Sequence, residues 1–458
     1  MRIHPSDNVE VRLDGQKYAI SAIKKGESVI KYGFPIGYAT LDIAEGEQVS
    51  PKNLRSALAG KGEWTYEPLP TAPLGTKSGT FLGYARKNGD VGIRNEIWII
   101  PTVGCINDVA KTLAARSGAK ALTHPYGCSQ LGGDLDTTRR ILAGLIKHPN
   151  AAGVLVLGLG CENNTMEGQI AALGDYDKER VRFLSLQDCD DEISEGLAIL
   201  DELKALADSD KRSEQPLSKL RIAVKCGGSD GYSGITANPL VGRAMELFSE
   251  YGSTVLMSEL PEVFGAEQLL LSRSKDRDVF DRAAHMIQRF RQYFIDHGEG
   301  IADNPSPGNI AGGISTLEEK SLGCVQKAGK VVLCGALDFG EAPHSDGGLY
   351  LVNGPGNDMV AVTDLAASGA HLILFTTGRG TPMAGPVPTV KISTNTSLYE
   401  KKSHWIDIDA GVLLNGTDMD ILAERLFSLC ISVSEGEQTK SEATGYCDIA
   451  IFKDGVTL

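Results

Sequence analysis

Through residues 1–58, short apolar stretches such as "VEVRL", "KYAIS", "ESVIKYG" and "PIGYATLDI" are cut by Gly, Asp and Lys turns. Near-alternation over such short spans predicts strands and leaves no room for a helix of useful length. From about residue 80 the pattern changes. "EIWIIPTV" (96–103), "GVLVLGLG" (153–160), "RVRFLSL" (180–186) and "LRIAVKC" (220–226) are compact apolar runs bounded by turn residues, with amphipathic stretches at 107–117, 134–147, 165–173 and 189–207 between them. That alternation predicts a parallel sheet with crossover helices. After the "NPSPGN" turn a second set follows: "KVVLCGAL", "LYLVNGPG", "HLILFTTGRG" and "PTVKIST". The expected fold class is α/β: a small N-terminal all-β domain (1–60), a Pro- and Gly-rich linker (61–80), and two α/β domains with mainly parallel sheets (81–240 and 241–458).

Composition narrows the function. The chain has 458 residues, with 45 basic against 59 acidic ones and a net charge of −14. No basic cluster offsets this, which argues against nucleic acid as a partner. No apolar run is long enough for a membrane span. The start, "MRIHPSDNVEV", carries no secretory or transit pattern, and nine cysteines are too few for a disulfide scaffold, so a reduced cytoplasmic setting is expected. The 53 glycines imply many places where backbone must turn tightly or approach something closely.

Four cysteines share one kind of position. Cys105, Cys161 and Cys226 sit beside glycine at or just past an apolar run, and Cys128 sits beside glycine in a short loop after "AKALTH". In open parallel sheets the ligand crevice lies outside the carboxyl ends of the strands, so four thiols could meet there as ligands for iron, zinc or an iron–sulfur cluster. The competing reading is that a free cysteine is simply core, and Cys189, Cys324, Cys334, Cys430 and Cys447 are taken that way. His124, four residues before Cys128, is the best-placed acid–base group among eight histidines. The loop "CGGSDGYSGITANP" (226–239), with Ser229, Asp230 and Asn238, suits a polyhydroxyl or anionic ligand. Arg379 and Thr381 in "FTTGRGTP" could hold a carboxylate, and Lys320 in "LEEKSLG" is a candidate second cation. A P-loop is absent, and "GLGCEN" lacks the third glycine of a dinucleotide site.

Taken together, "YARKNGDVGIRNEIWIIPTVGCIN", "HPYGCSQLG", "VLGLGCENN", "CGGSDGYSGITANP", "NPSPGNIAGGISTLEEKSLG", "FTTGRGTP" and "AIFKDGVTL" resemble the altronate/galactarate dehydratase family, more on its altronate side. The resemblance implies a metal-assisted hydro-lyase, requiring ferrous iron or a similar metal, that converts a sugar acid to a 2-keto-3-deoxy acid. It implies a small-molecule sugar-acid substrate, with self-association left open. Cys105, Cys128, Cys161, Cys226, His124, Lys320 and Arg379 fall in the matching motifs; the expectation set on them is that the four thiols hold the metal, His124 and Lys320 are catalytic groups, and Ser229, Asp230, Asn238, Arg379 and Thr381 meet the substrate. Other outcomes it leaves open are galactarate dehydration, a sulfolactate sulfo-lyase activity, or a binding protein without turnover. The N-terminal unit resembles the family's β-clip (SAF-type) domain, but where family members carry histidines in "GHK" and "HVHxHN", this chain has Gln16 and Gln48-Val49-Ser50-Pro51.

Overall fold

The computed structural model describes residues 1–58 and 62–458. The expected junction between the N-terminal domain and its linker, at residues 60 and 61, lies outside the described residues. Residues 1–58 form two three-stranded antiparallel sheets. One is Val9–Val11, Lys17–Ala19 and Gln48–Val49; the other is Ser28–Lys31, Phe34–Ala39 and Leu54–Arg55. Their alternate apolar residues, among them Val9, Ile23, Val29, Ile36 and Ile43, are buried together. The stretch that follows is no loose spacer. Leu69, Ala72 and Gly75 donate backbone hydrogen bonds to the carbonyls of Ser272, Lys330 and Ser249, which straps it across the C-terminal domain.

The second domain holds a four-stranded parallel sheet in the order Lys120–Ala121, Glu96–Pro101, Ala151–Gly158, Val181–Ser185. Its helices Asn107–Ser117, Gly132–Ile146, Met166–Leu173 and Glu192–Ser209 fall where the amphipathic stretches predict them. The largest sheet has seven parallel strands in the order Leu333–Leu337, Gly348–Val352, Thr254–Met257, Arg221–Cys226, Leu372–Thr377, Thr389–Ser393, Ile408–Asp409.

One boundary is corrected. The strand Arg221–Cys226, expected to close the second domain before a boundary at 240, is instead the founding strand of the seven-stranded sheet. The chain leaves the second domain earlier, through Ser213–Pro216, which pairs antiparallel with Thr80–Ala85. The two α/β domains share a core. Trp98, Ile100 and Val154 of the smaller sheet pack in one buried cluster with Leu365, Ile373 and Phe375 of the larger domain.

Strand order locates the crevice. From Arg221–Cys226 the chain first builds outward through Thr254–Met257. It later returns to lay Leu372–Thr377 on the other flank of the same strand. Where winding reverses, the loops leaving adjacent strands diverge and open a crevice at their carboxyl ends. The loops at this switch point are 226–239 and 378–382.

Candidate active site

The switch-point loops are joined by the Gly378 and Arg379 N–H groups on Gly228 O, and Asp230 ties the first of them to the loop after Thr389–Ser393. Its carboxylate accepts from Tyr232 N (3.1 Å), Ser233 Oγ (3.2 Å), Thr394 Oγ1 (2.8 Å) and Asn395 Nδ2 (3.2 Å). Gly378 makes the close approach possible, since a Cβ there would stand 2.2 Å from Asp230 Cγ. Burial raises the Asp230 carboxyl above its ordinary range, against those hydrogen bonds. Asn238 is likewise engaged within the protein: its Nδ2 donates to Gly323 O (3.0 Å), and its Oδ1 accepts from Thr376 Oγ1 (2.7 Å). Expected as substrate contacts, Asp230 and Asn238 are instead the ties that shape the crevice, because their polar atoms already have partners. Ser229 is buried beside them, and its carbonyl accepts from Asn309 Nδ2 (2.9 Å). Thr381 holds its own turn, accepting from Met383 N (3.2 Å) on its hydroxyl and from Lys391 Nζ (2.9 Å) on its carbonyl.

Arg379 is different. It is exposed, its backbone N–H is anchored to Gly228 O (3.0 Å), and its guanidinium has no protein partner among the described residues. A cation fixed at its root and free at its head suits bidentate capture of a carboxylate.

Below the crevice lies the helix Leu317–Cys324, every residue of which is buried. It faces three ways. Glu318 and Glu319 hold the N-terminal domain: Glu318 Oε1 accepts from Ser56 Oγ (2.9 Å) and Ala57 N (2.7 Å), and Glu319 bridges Lys17 and Lys31, each at 2.8 Å. Lys320 turns toward the crevice, 2.8 Å from Glu262 and 3.2 Å from both Asn304 and Asn309. Burial opposes its charge, but Glu262 prevails and lifts the ammonium to about 12. Lys320 is therefore a fixed positive charge near neutral pH and no proton acceptor. With Ser229, Asp230, Asn238, Lys31, Tyr32 and Glu319 it lines a cavity of about 10 Å³, room for one water at most.

The third direction is the thiol of Cys324. It lies 3.0 Å from Cys226 Sγ, and Glu262 Oε2 is 3.0 Å and 3.2 Å from the two sulfurs. Ligand atoms of Cys226, Glu259, Glu262 and Cys324 all lie within 4.8 Å of one another, the only such set among the described residues. Three ammoniums surround them. Lys327 donates to Cys226 Sγ (2.9 Å), Cys324 Sγ (3.3 Å) and Glu259 Oε2 (2.8 Å); Lys225 binds Glu259 and Asp358; Lys320 binds Glu262. Burial would raise Glu262, yet these cations hold it far below the ordinary carboxylate range, whereas Glu259 is raised by burial and by Glu262 beside it. The hydrogen bond from Cys226 and burial push the Cys324 thiol well up.

Two thiols and two carboxylates suit a borderline divalent ion such as Fe²⁺ or Zn²⁺. The charges fit as well. Glu259, Glu262 and Asp358 balance Lys225, Lys320 and Lys327, so an ion that displaced both thiol protons would leave the group neutral.

Sequence reasoning missed Cys324, taken for core, and the acidic partners. The available signal was "SELPE" (258–262), two carboxylates three residues apart directly after an apolar strand. Glu259 sits there in the left-handed region (φ 71°), an unusual conformation for a residue with a side chain.

The other thiols lie elsewhere. Cys105, Cys128 and Cys161 follow strands of the smaller sheet and are exposed, and with Cys226 they make no ligand group within 4.8 Å among the described residues. Cys226 follows a strand of the other sheet. His124, expected as acid or base, is buried, with Nε2 2.8 Å from Pro101 O and Nδ1 accepting from Tyr126 N (3.2 Å). Burial drives it down to about 4, so near neutral pH it is an uncharged ring tying two loops together. Gln16 and Gln48 do meet: Gln48 Nε2 donates to Gln16 Oε1 (3.1 Å), and Gln16 Nε2 donates to Ala311 O (3.5 Å).

Fold and site together define an α/β enzyme with a fixed-cation crevice, a metal-competent Cys/Glu group beneath it, and a β-domain docked alongside. Comparison with known proteins gives the family. Residues 6–57 match the altronate/galactarate dehydratase SAF domain, 83–208 the second domain of D-galactarate dehydratase/altronate hydrolase, and 217–457 the D-galactarate/altronate dehydratase C-terminal domain. The chain is 47% identical to an altronate dehydratase of Escherichia coli K12 (97% of this chain, 92% of the relative) and 46% identical to one of Bacillus subtilis 168 (98% and 94%). It is 34% identical to a (2R)-sulfolactate sulfo-lyase subunit beta of Chromohalobacter salexigens (82% and 98%). This chain belongs to the altronate/galactarate dehydratase family.

Proposed function

We propose that the chain is a cytoplasmic hydro-lyase that dehydrates an altronate-type sugar acid to the 2-keto-3-deoxy acid with the help of iron or a similar divalent metal. The observation that carries this reading is identity of 46–47% to altronate dehydratases along almost the whole of both chains, domain for domain. The lower identity to the sulfo-lyase subunit places desulfonation second.

The hard step is removal of the C2 proton, because a neighbouring carboxylate acidifies it little and the resulting enediolate gathers charge. Fixed positive charge where that negative charge develops lowers the barrier. Arg379 clamps the carboxylate at the crevice mouth, and Lys320 supplies a permanent charge behind it. The 226–239 and 378–382 loops, joined by the Gly378 and Arg379 N–H groups on Gly228 O and braced by Asn395, which donates to both Asp230 and Gly378 O, keep these groups in register. Cys226, Glu259, Glu262 and Cys324 would hold the metal, whose positive charge supports enediolate formation. The cavity beside Lys320 is far too small for a sugar acid, so the substrate sits at the mouth with Arg379.

The test is turnover: anaerobically purified protein with Fe²⁺ and D-altronate, followed for 2-keto acid formation. Keto acid from altronate, in preference to galactarate or sulfolactate, supports the proposal. Saturable altronate binding with no keto acid would replace it with a binding function that accompanies the loss of the N-terminal histidines.

A further inference from the structure

Three parts of the chain meet around a cavity of about 730 Å³. The N-terminal domain contributes Ile3, Tyr32 and Phe34, residues 69–73 of the strap form a second wall, and Leu322 and Val325 belong to a third. Leu322 lies on the buried helix that carries Lys320 and Cys324, and Val325 follows that helix directly. Ile3, Phe34 and Leu69 remain exposed, and large apolar side chains left uncovered around one concavity mark a binding surface. Junctions between domains are a usual place for small-molecule pockets, and this volume falls within their range.

The charges around the cavity do not balance. Two carboxylates line it, and both are taken: Glu246 accepts from Arg243 Nη1 (3.2 Å) and Lys330 N (2.9 Å), and Glu250 pairs with Lys77. Arg243 is satisfied in turn by Glu246 and by Asp420 (2.6 Å). Two cations are left over. Arg273 donates to Gly329 O and forms no ion pair among the described residues; Glu246 attracts it, but burial prevails and draws the guanidinium down to about 10. The exposed Lys330 ammonium has no protein partner among the described residues. The strap is pinned beside both cations. Leu69 N donates to Ser272 O (2.8 Å) and Ala72 N to Lys330 O (2.7 Å), so this wall is fixed without an occupant.

Tyr32 marks the border with the crevice. Its ring lines both this cavity and the one-water space beside Lys320. It is held at φ 60°, in the left-handed region, and Gly234, where a Cβ would stand 2.4 Å from the Tyr32 hydroxyl, makes room for it. A sugar acid carries hydroxyls along its length and gains nothing from apolar walls, so the cavity is no second substrate site. Unpaired cations among apolar side chains call for a ligand with one charged end and one apolar end. We propose that this interdomain cavity binds a small organic anion with an apolar body, a carboxylate or sulfonate on an acyl or aryl frame. Its head meets Arg273, whose planar fork suits two anionic oxygens, and Lys330; its body lies against Phe34, Leu322 and Val325. The bound anion bridges the N-terminal domain and the helix that carries Lys320 and Cys324. Binding here does not rest on the hydro-lyase reading.

The test is a fluorescence titration of the full chain with anilinonaphthalenesulfonate, an apolar dye with one negative charge, followed by competition. The expected result is a single saturable site. Phenylbutyrate should displace the dye at concentrations at least about tenfold lower than its neutral analogue phenylbutanol, because only the acid meets the two cations. D-altronate should displace nothing. Arg273→Gln should weaken phenylbutyrate by about 10- to 150-fold, Ala72→Trp should fill the cavity and abolish binding, and Arg379→Ala should leave it unchanged. The comparison of acid with alcohol uses the unaltered chain, so it decides the matter even where a variant fails to fold. No saturable binding, equal displacement by acid and alcohol, or displacement by altronate overturns the proposal. So does a folded Arg273→Gln or Ala72→Trp chain that binds like the parent.

Discussion

Replacing Glu319 by Gln tests how the N-terminal domain is held on the site. One carboxylate serves two ammoniums, Lys17 and Lys31, each at 2.8 Å and each almost completely buried. It also accepts from Ser315 N at 2.8 Å. Burial alone would raise Glu319, but Lys17 and Lys31 hold it at about 2. The shared carboxylate does not serve both lysines equally: burial pulls Lys17 down to about 8 despite Glu319, whereas Lys31 ends above its ordinary value. Removing one member of a buried ion pair costs about 3–5 kcal/mol, because the partner is left charged and unsolvated. The Gln variant keeps the volume and loses the charge, so the undocked or unfolded population should rise about 150- to 5,000-fold. Hydrogen exchange of the Lys17–Ala19 strand, with urea melts alongside, reads this directly. Lys17→Met in the same chain should recover part of the loss by removing one stranded charge. A cost under about 1 kcal/mol would refute the buried-pair reasoning. The pH sign follows from the same group. A carboxylate at about 2 when folded and 4.5 ordinarily contributes fully above about 4.5, and its contribution disappears as pH falls toward 2.

Three further outcomes are expected. Arg379→Ala should raise KM for the sugar acid by about 10- to 150-fold, the value of about 1.5–3 kcal/mol for a hydrogen bond to a charged group, with an unchanged melting temperature because the side chain is exposed; an unchanged KM would remove it from the carboxylate site. His124, held at about 4 against an ordinary 6.5, should add no limb to the rate profile between pH 5 and 8; its signature is stability that falls as pH drops from about 6.5 to 4, because the unfolded chain takes up the proton first. Gly378→Ala places a Cβ 2.2 Å from the Asp230 carboxyl carbon, so it should cost about 1–3 kcal/mol and raise KM through the displaced Arg379 loop, measurable by thermal melts and kinetics.

The parts of the molecule that follow local rules were readable in the chain. The four helices between 107 and 209, and the strands Glu96–Pro101, Ala151–Gly158 and Leu372–Thr377, announce themselves by apolar period and glycine punctuation. The glycines beside Cys105 and Cys161 likewise mark strand ends. Which sheet a strand joins is a long-range matter, and "LRIAVKC" looks no different from the strands of the domain before it; that is why the sequence does not reveal Cys226 lying beside Cys324 in the larger domain. Cys324 was invisible for a related reason. It ends a helix of ordinary composition and acquires meaning only when that helix packs under the Cys226 loop. His124 shows the converse: a well-placed residue type whose two nitrogens the backbone has already claimed.

The central claim is dehydration of a sugar acid at the Arg379–Lys320 crevice, and NMR of D-altronate with the iron-loaded protein in D₂O tests it most directly. The account predicts loss of the C2 proton signal and appearance of a 2-keto-3-deoxy acid carrying solvent deuterium at C3, with the rate at sub-saturating altronate falling in Arg379→Ala in line with its raised KM. Altronate that stays unchanged in a folded, metal-loaded protein, or turnover indifferent to Arg379, would contradict it.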